Sequence, residues 1–302
     1  MSIEAWILKQ ATQSNDNTAS LWETFQPHRT RVTNLLQQLH RRVFLPDDVS
    51  PPWAPHGTLC LLGAGNSNDV DLRKLLRLFA TIELVDIDRS ALSRSIARLH
   101  PAEQERMVIH GGVNLLGLSG GAAFVVEGRN GVCSTSTISE FERGDVAASL
   151  RSLFGRRCDV VGATALFAML VQQVQRHLNI PDSMPLEQRA REHGWDEVLK
   201  ALSRSYLRGL AAAVRPGGAV AHVSTLVYKS GVLPNATYTE EQMWEEHVSR
   251  GDFFPETNPY AWLDAAADGM LHSAELWGGE MPYWVWRSSV VYATTWRAKA
   301  EI

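Results

Sequence analysis

The stretch TLCLLGAGNSNDVDLRKLLRLFATIELVDIDRSALSRSIARL, residues 58–99, decides the fold. A short apolar run, TLCLL, breaks at Gly63-Ala64-Gly65-Asn66 and gives way to a segment with helical spacing, RKLLRLFA. A second apolar run, TIELVDID, then breaks into RSALSRSIARL. Apolar runs of this length, bounded by turn residues and alternating with helical segments, mark βαβ units and therefore a parallel sheet. The pattern continues through MVIHGGV at 107–113, CDVVGAT at 158–164 and AVAHVST at 219–225, with helical spacing at 165–178 and 196–214. Five such strands with helices between them predict a doubly wound α/β sheet with right-handed crossovers. The last strands, within 271–298, follow each other too closely for a crossover helix. They are expected to form an antiparallel hairpin at one edge, for seven strands in all.

On either side of this frame the chain carries additions. Residues 1–50 read as a helical cap, with Val32, Leu35, Leu36, Leu39 and Val43 at three- and four-residue spacings. Its basic residues His28, Arg29, Arg31, His40, Arg41 and Arg42 are read as a solvated helix face rather than a phosphate-binding one. The Pro-rich segment DDVSPPWAP, 47–55, ends the cap, and the main domain is expected over 57–302. Insertions are expected at about 117–145, 179–195 and 226–270, the last with an acidic amphipathic helix and Phe253, Phe254, Tyr260 and Trp262.

Composition bounds the function. Apolar residues make up 45 % of the 302 and charged residues 21 %, the balance of an ordinary folded protein. A net charge of −4, evenly spread, argues against a nucleic-acid partner. Cys60, Cys133 and Cys158 lie far apart, which excludes a disulfide framework and a cysteine-rich zinc site and fits a cytoplasmic location. No apolar stretch approaches the ~20 residues of a membrane span, and the N-terminus, with Glu4 in a short apolar run, does not have the pattern of a signal peptide. Of ten tryptophans, Trp284, Trp286 and Trp296 are expected to pack across the edge strands, and Trp244 and Trp262 to belong to the late insertion.

Chemistry concentrates at the turns. Glycine at 63 and 65 lets backbone approach a ligand closely, and the helix that opens near Asp69 to Asp71 presents unpaired N–H groups. A plain glycine turn closed by an Asx helix cap would leave the same pattern, and Asn68 stands where a G-x-G-x-x-G fingerprint needs its third glycine. Asp86, 23 residues after Gly63 at the end of the second strand, can accept from both hydroxyls of a ribose. Asp88 is placed to cap the next helix. Further on, Leu210-Ala-Ala-Ala-Val-Arg215-Pro216-Gly217-Gly218 stops a helix and turns through glycines expected at positive φ into the fifth strand.

With the glycine turn, the acidic residue and Arg215-Pro-Gly-Gly in series, the chain resembles the class I S-adenosylmethionine-dependent methyltransferases over about residues 57–298. The resemblance implies S-adenosyl-L-methionine held at Gly63, Ala64, Gly65, Asn66, Asp69, Asp86, Ile87, Val113, Asn114 and Ala163. The chain departs from the family at Leu61, where an acidic residue often meets the methionine ammonium, and Asn66, Asp69 or a carbonyl would substitute. Asn114 stands near the place of the family's adenine-binding acid. CDVVGATAL lacks the Asn/Asp-Pro-Pro-Tyr/Phe motif of amino-methylating enzymes that act on bases, Asn258-Pro259-Tyr260 is misplaced for it, and no Pro-Cys dipeptide exists.

The implied reaction is an in-line methyl transfer to a small-molecule acceptor, or less favourably a protein, and a general base is optional. Tyr228, just past the fifth strand, and His110 are the candidates; His222 and His247 read as structural. Two alternatives compete. A non-catalytic binding or scaffold member would fit Leu61 and Val113, whereas a nicotinamide-dependent dehydrogenase would need the longer glycine fingerprint.

Overall fold

The computed structural model describes residues 3–44, 54–115, 126–127, 132–133, 150, 152–155, 158–164, 170–171, 174, 195–225, 271–272, 283–286 and 289–298. The elements of the first part are α1 (Ile3–Thr18), α2 (Gln26–Phe44), β1 (Thr58–Leu62), α3 (Leu72–Leu76), β2 (Thr81–Asp86), α4 (Arg89–Ile96), α5 (Pro101–Gln104) and β3 (Met107–Gly111). There follow β4 (Val126–Glu127), β5 (Val132–Cys133), β6 (Cys158–Thr164), α6 (Trp195–Ala213), β7 (Val214–Thr225), β8 (Leu271–His272), β9 (Tyr283–Trp286) and β10 (Ser289–Ala298). The insertions at 179–195 and 226–270 lie almost wholly outside the described residues. Of that at 117–145 only the β4–β5 pair is described, a separate two-stranded ladder.

Five parallel strands form the centre of the main sheet, in the order β3-β2-β1-β6-β7. The chain lays down β1, β2 and β3 in one direction, then returns to place β6 on the other side of β1. The order therefore reverses between β1 and β6, and in open α/β sheets the crevice at such a reversal is where ligands bind. Beyond β7, β10 runs antiparallel along Val291↔Thr225 to Arg297↔Ala219. The main sheet has eight strands rather than seven. The reason is the length of β10, ten residues, whose free edge holds β9 at Ser289–Tyr292 and β8 at Arg297–Ala298.

Period-two alternation divides each central strand between two cores, as expected for a sheet covered on both faces. Leu59, Leu61, Ile82, Leu84 and Val160 face α2, α3 and α4, where they bury Val32, Leu36, Leu39, Leu75, Leu76 and Leu92. Cys60, Leu62, Val85, Val161 and Ala163 face the other way, onto Ile7 of α1 and Leu202, Leu207 and Leu210 of α6. Close approach of α2 depends on Gly162, where a Cβ would stand 2.9 Å from Leu61 and 3.2 Å from Leu36.

Packing overrules the reading of the α2 basic face. Arg31, Arg41 and Arg42 are exposed, but His28, Arg29 and His40 are buried. Arg29 stacks its guanidinium 3.6 Å from the Trp22 ring centre, with Arg98 at 4.0 Å, and donates to the carbonyl oxygens of Trp22 and Asn68. Trp22 and the loop after β1 thus take up charges that helical spacing alone assigns to water.

The Arg215-Pro-Gly-Gly segment also departs from expectation. Helix α6 ends at Ala213, and the four residues lie within β7 around an irregularity in its pairing with β6 rather than in a separate turn. Only Gly217 has a positive φ, +74°. Gly218 is needed for closeness instead, since a Cβ there would lie 2.6 Å from the Asp159 carbonyl oxygen. Arg215 donates through Nε to the Asp159 carboxylate, which also accepts from the Thr58 N–H at 2.7 Å. The segment is a brace across the amino ends of β1, β6 and β7. Among the described residues, no helix is long and apolar enough to cross a membrane.

Candidate functional site

At the carboxyl ends of β1 and β2, a cleft of about 490 Å³, counted with its open mouth, is lined by Gly63, Asp86, Ile87, Val113, Asn114 and Leu115 from the sheet side. Leu170 and the α1 residues Ile7, Ala11, Ser14 and Asn15 complete it. The turn is set by Gly63 at φ +66° and Gly65 at φ +44°, and the Ala64 N–H donates to the Val85 carbonyl, which ties the turn to β2. This bond brings Gly63 beside Asp86.

Asp86 is 6 % exposed, and its carboxylate is held by backbone donors. Oδ2 accepts from Gly65 N–H at 2.9 Å and Oδ1 from Asp88 N–H at 2.8 Å. Burial, with the neighbouring Asp88 charge, pushes its pKa up from the ordinary value of 3.8, and the Asp88, Gly65 and Ile87 N–H groups partly offset that. A carboxylate offers about four acceptor sites, so acceptor capacity remains beyond these backbone donors. Asp88 has the opposite balance. Burial raises its pKa, but the Ser90 hydroxyl, the Asn15 amide and the Ser90 and Ala91 N–H groups that it receives as N-cap of α4 outweigh burial and hold it below 3.8.

The rest of the turn faces elsewhere. Asn66 and Asn68 donate their side-chain amides to the carbonyls of Asn15, at 2.5 Å, and Thr18, at 2.8 Å, so they cap the carboxyl end of α1. Between them Ser67 adopts φ +51°, and its hydroxyl, on a residue 3 % exposed, has no hydrogen-bond partner among the described residues. Asp69 accepts from the Thr164 hydroxyl at 3.3 Å and lies 3.3 Å from His28 Nε2, which places a carboxylate at the carboxyl end of β6. Thr164 is one register step beyond the Leu62↔Ala163 pair and so stands next to Gly63.

Of the ten residues expected to hold a cofactor, Gly63, Asp86, Ile87, Val113 and Asn114 line the cleft together. Ala64, Gly65, Asn66, Asp69 and Ala163 do not; Ala163 is packed in the α6-side core. His110 is likewise away from the cleft lining. Its Nε2 is 2.8 Å from Glu83 Oε2 on the neighbouring strand, and its ring packs edge-on to Phe154. His222 is buried on β7 with Nδ1 3.0 Å from the Tyr206 hydroxyl, and burial lowers its pKa to about 3. Tyr228 and His247 fall outside the described residues. The α1 residues, Leu115 and Leu170 were not foreseen. The spacing of Ile7, Ala11 and Ser14 marks one helix face, but nothing in the sequence says what that face meets.

No protein-family model matches the chain, and no curated protein matches it. Solved structures that it resembles include a candidate S-adenosyl-L-methionine-dependent methyltransferase of Methanococcus maripaludis, 8 % identical, with 98 % of this chain and 94 % of that one aligned at a TM-score of 0.42. A geranyl diphosphate methyltransferase in complex with geranyl diphosphate and sinefungin is 10 % identical, with 87 % and 76 % aligned at 0.39. An O-methyltransferase family protein from Burkholderia thailandensis is 16 % identical, with 92 % and 60 % aligned at 0.36. Overlaps of this size carry nothing about activity.

Proposed function

We propose that the chain is a class I methyltransferase that binds S-adenosyl-L-methionine in this cleft and methylates a small molecule. The observation that carries the reading is Asp86: a buried carboxylate, fixed by backbone amides beside a glycine turn and lining the cleft. Such a carboxylate can accept from the hydroxyls of a ribose. Ile87, Val113, Leu115 and Leu170 supply apolar walls for a flat purine, and Asn114 an amide at its edge. Leu61, buried in the α2-side core, offers no carboxylate to an ammonium group; the nearest in the turn is Asp69, which accepts from Thr164, lies 3.3 Å from His28 and stands outside the cleft lining. The unpartnered Ser67 hydroxyl in the same loop fits a polar ligand too.

When bound, S-adenosyl-L-methionine supplies a methyl group on a positively charged sulfur, an electrophile that needs alignment more than acid or base assistance. The residues of the chain therefore bind, orient and exclude water. Asp86 fixes the ribose, and the apolar walls keep the purine dry. His110 is engaged with Glu83 away from the cleft lining, and Tyr228, just past β7 in the sequence, is the residue proposed for the acceptor side. The near balance of acidic and basic residues favours an uncharged or modestly charged small acceptor in the cytoplasm over nucleic acid.

Calorimetric titration with S-adenosylhomocysteine tests the reading. Binding is expected, and Asp86→Asn should weaken it at least tenfold, because the amide keeps one acceptor oxygen and turns a donor toward the other hydroxyl. No binding to the wild-type chain, or equal binding by the variant, refutes the assignment.

A further inference from the structure

We propose that α1 is a wall of the ligand site, and that Ala11 and Ser14 on it set the space available above the bound nucleoside. This deepens the cofactor reading above and rests on it. Residues 7, 11, 14 and 15 recur at helical spacing, so one stripe of α1 supplies the four positions that line the cleft. The stripe begins in the core, where Ile7 packs with Leu62 and Val85, and it ends over the glycine turn. There the Asn15 amide oxygen occupies the space that Gly65 leaves, 2.5 Å from where a Cβ would be, and its amide nitrogen donates to Asp88 at 3.0 Å.

The seating is built into both partners. Asn66 and Asn68 donate to the Asn15 and Thr18 carbonyls in the last turn of α1, and Arg94 of α4 pairs with Asp16 at 3.2 Å. The loop that the sequence assigns to the ligand thus spends two of its side chains on holding the helix. What α1 turns toward the cleft between its anchored ends is small: Ala11 and Ser14. A larger side chain at either position would enter the volume opposite Ile87, Val113 and Leu170, while Asn15 is placed to position the ribose beside Asp86.

Two measurements on the full chain test this. Hydrogen–deuterium exchange of residues 3–18 should slow when S-adenosylhomocysteine is added, since the ligand would be packed against α1. Ala11→Trp should weaken S-adenosylhomocysteine binding at least tenfold while leaving the melting temperature of the ligand-free protein unchanged, because the indole fills open space. Wild-type binding without slower exchange in α1, or wild-type affinity retained by Ala11→Trp, overturns the α1 assignment and leaves the cofactor reading intact. No binding to the wild-type chain overturns both. Should Ala11→Trp fail to fold, the exchange measurement on the wild type decides alone.

Discussion

Gly65→Ala is the perturbation whose cost can be worked out most directly. Gly65 has φ +44°, in the left-handed region where a side chain costs about 1.5 kcal/mol. The new methyl would also stand 2.5 Å from Asn15 Oδ1, an impossible contact with the end of a flexible side chain. Asn15 must swing away and give up its hydrogen bond to the Asp88 carboxylate, which at this half-buried position contributes about 1.5 kcal/mol. The sum is about 3 kcal/mol, or roughly a 6 °C drop in melting temperature for a chain of this size. Asn15→Ala alone should cost about 1.5 kcal/mol. The double variant separates the terms: without the Asn15 amide the methyl loses its closest contacts, so Gly65→Ala should then cost little more than its backbone share. Urea unfolding of the four proteins should give a coupling of about 1.5 kcal/mol. If Gly65→Ala costs the same in both backgrounds, α1 is not seated on the turn and the reasoning fails.

Two further outcomes are expected. Arg215→Met should destabilise the protein by about 1–2 kcal/mol, because it leaves buried Asp159 with the Thr58 N–H, while calorimetry should find S-adenosylhomocysteine affinity unchanged, the brace lying five residues, about 16 Å, from Thr164 along β6. A fall in affinity would show that the motif acts at the site after all. For pH, burial lowers the pKa of His40 from 6.5 to about 4. Between those values the unfolded chain binds a proton that the folded one does not, so stability is full above pH 6.5 and declines as pH falls toward 4. His40→Phe, which keeps a ring against Phe44 and Phe79, should flatten urea-derived stability over that window; an unchanged slope would contradict the buried neutral imidazole.

Legibility in the sequence followed the range of the interactions. Apolar runs and turn residues report local preference and burial, and those placed β1, β2, β3 and β6 within a residue or two. The ligand end of the sheet followed from Gly63 and Asp86, since both are fixed by their position at strand ends. Asn66 was open to more than one reading. An amide in a glycine turn suits a ligand and a helix terminus equally well, and only the arrival of Asn15 and Thr18 decides between them. His110 shows the same limit: an imidazole mid-strand has no evident role until Glu83, 27 residues earlier, is set on the neighbouring strand.

The sequence alone determined that the chain is an α/β protein with a parallel sheet and a polar turn facing a carboxylate, because period-two burial and glycine turns are written locally in the residues. Only the tertiary structure decided that α1 closes the cleft, that the basic residues His28, Arg29 and His40 are buried and that Arg215 braces the far end of the sheet. Each of those depends on side chains separated by tens of residues, and their pairing is set by which helices pack on which face of the sheet.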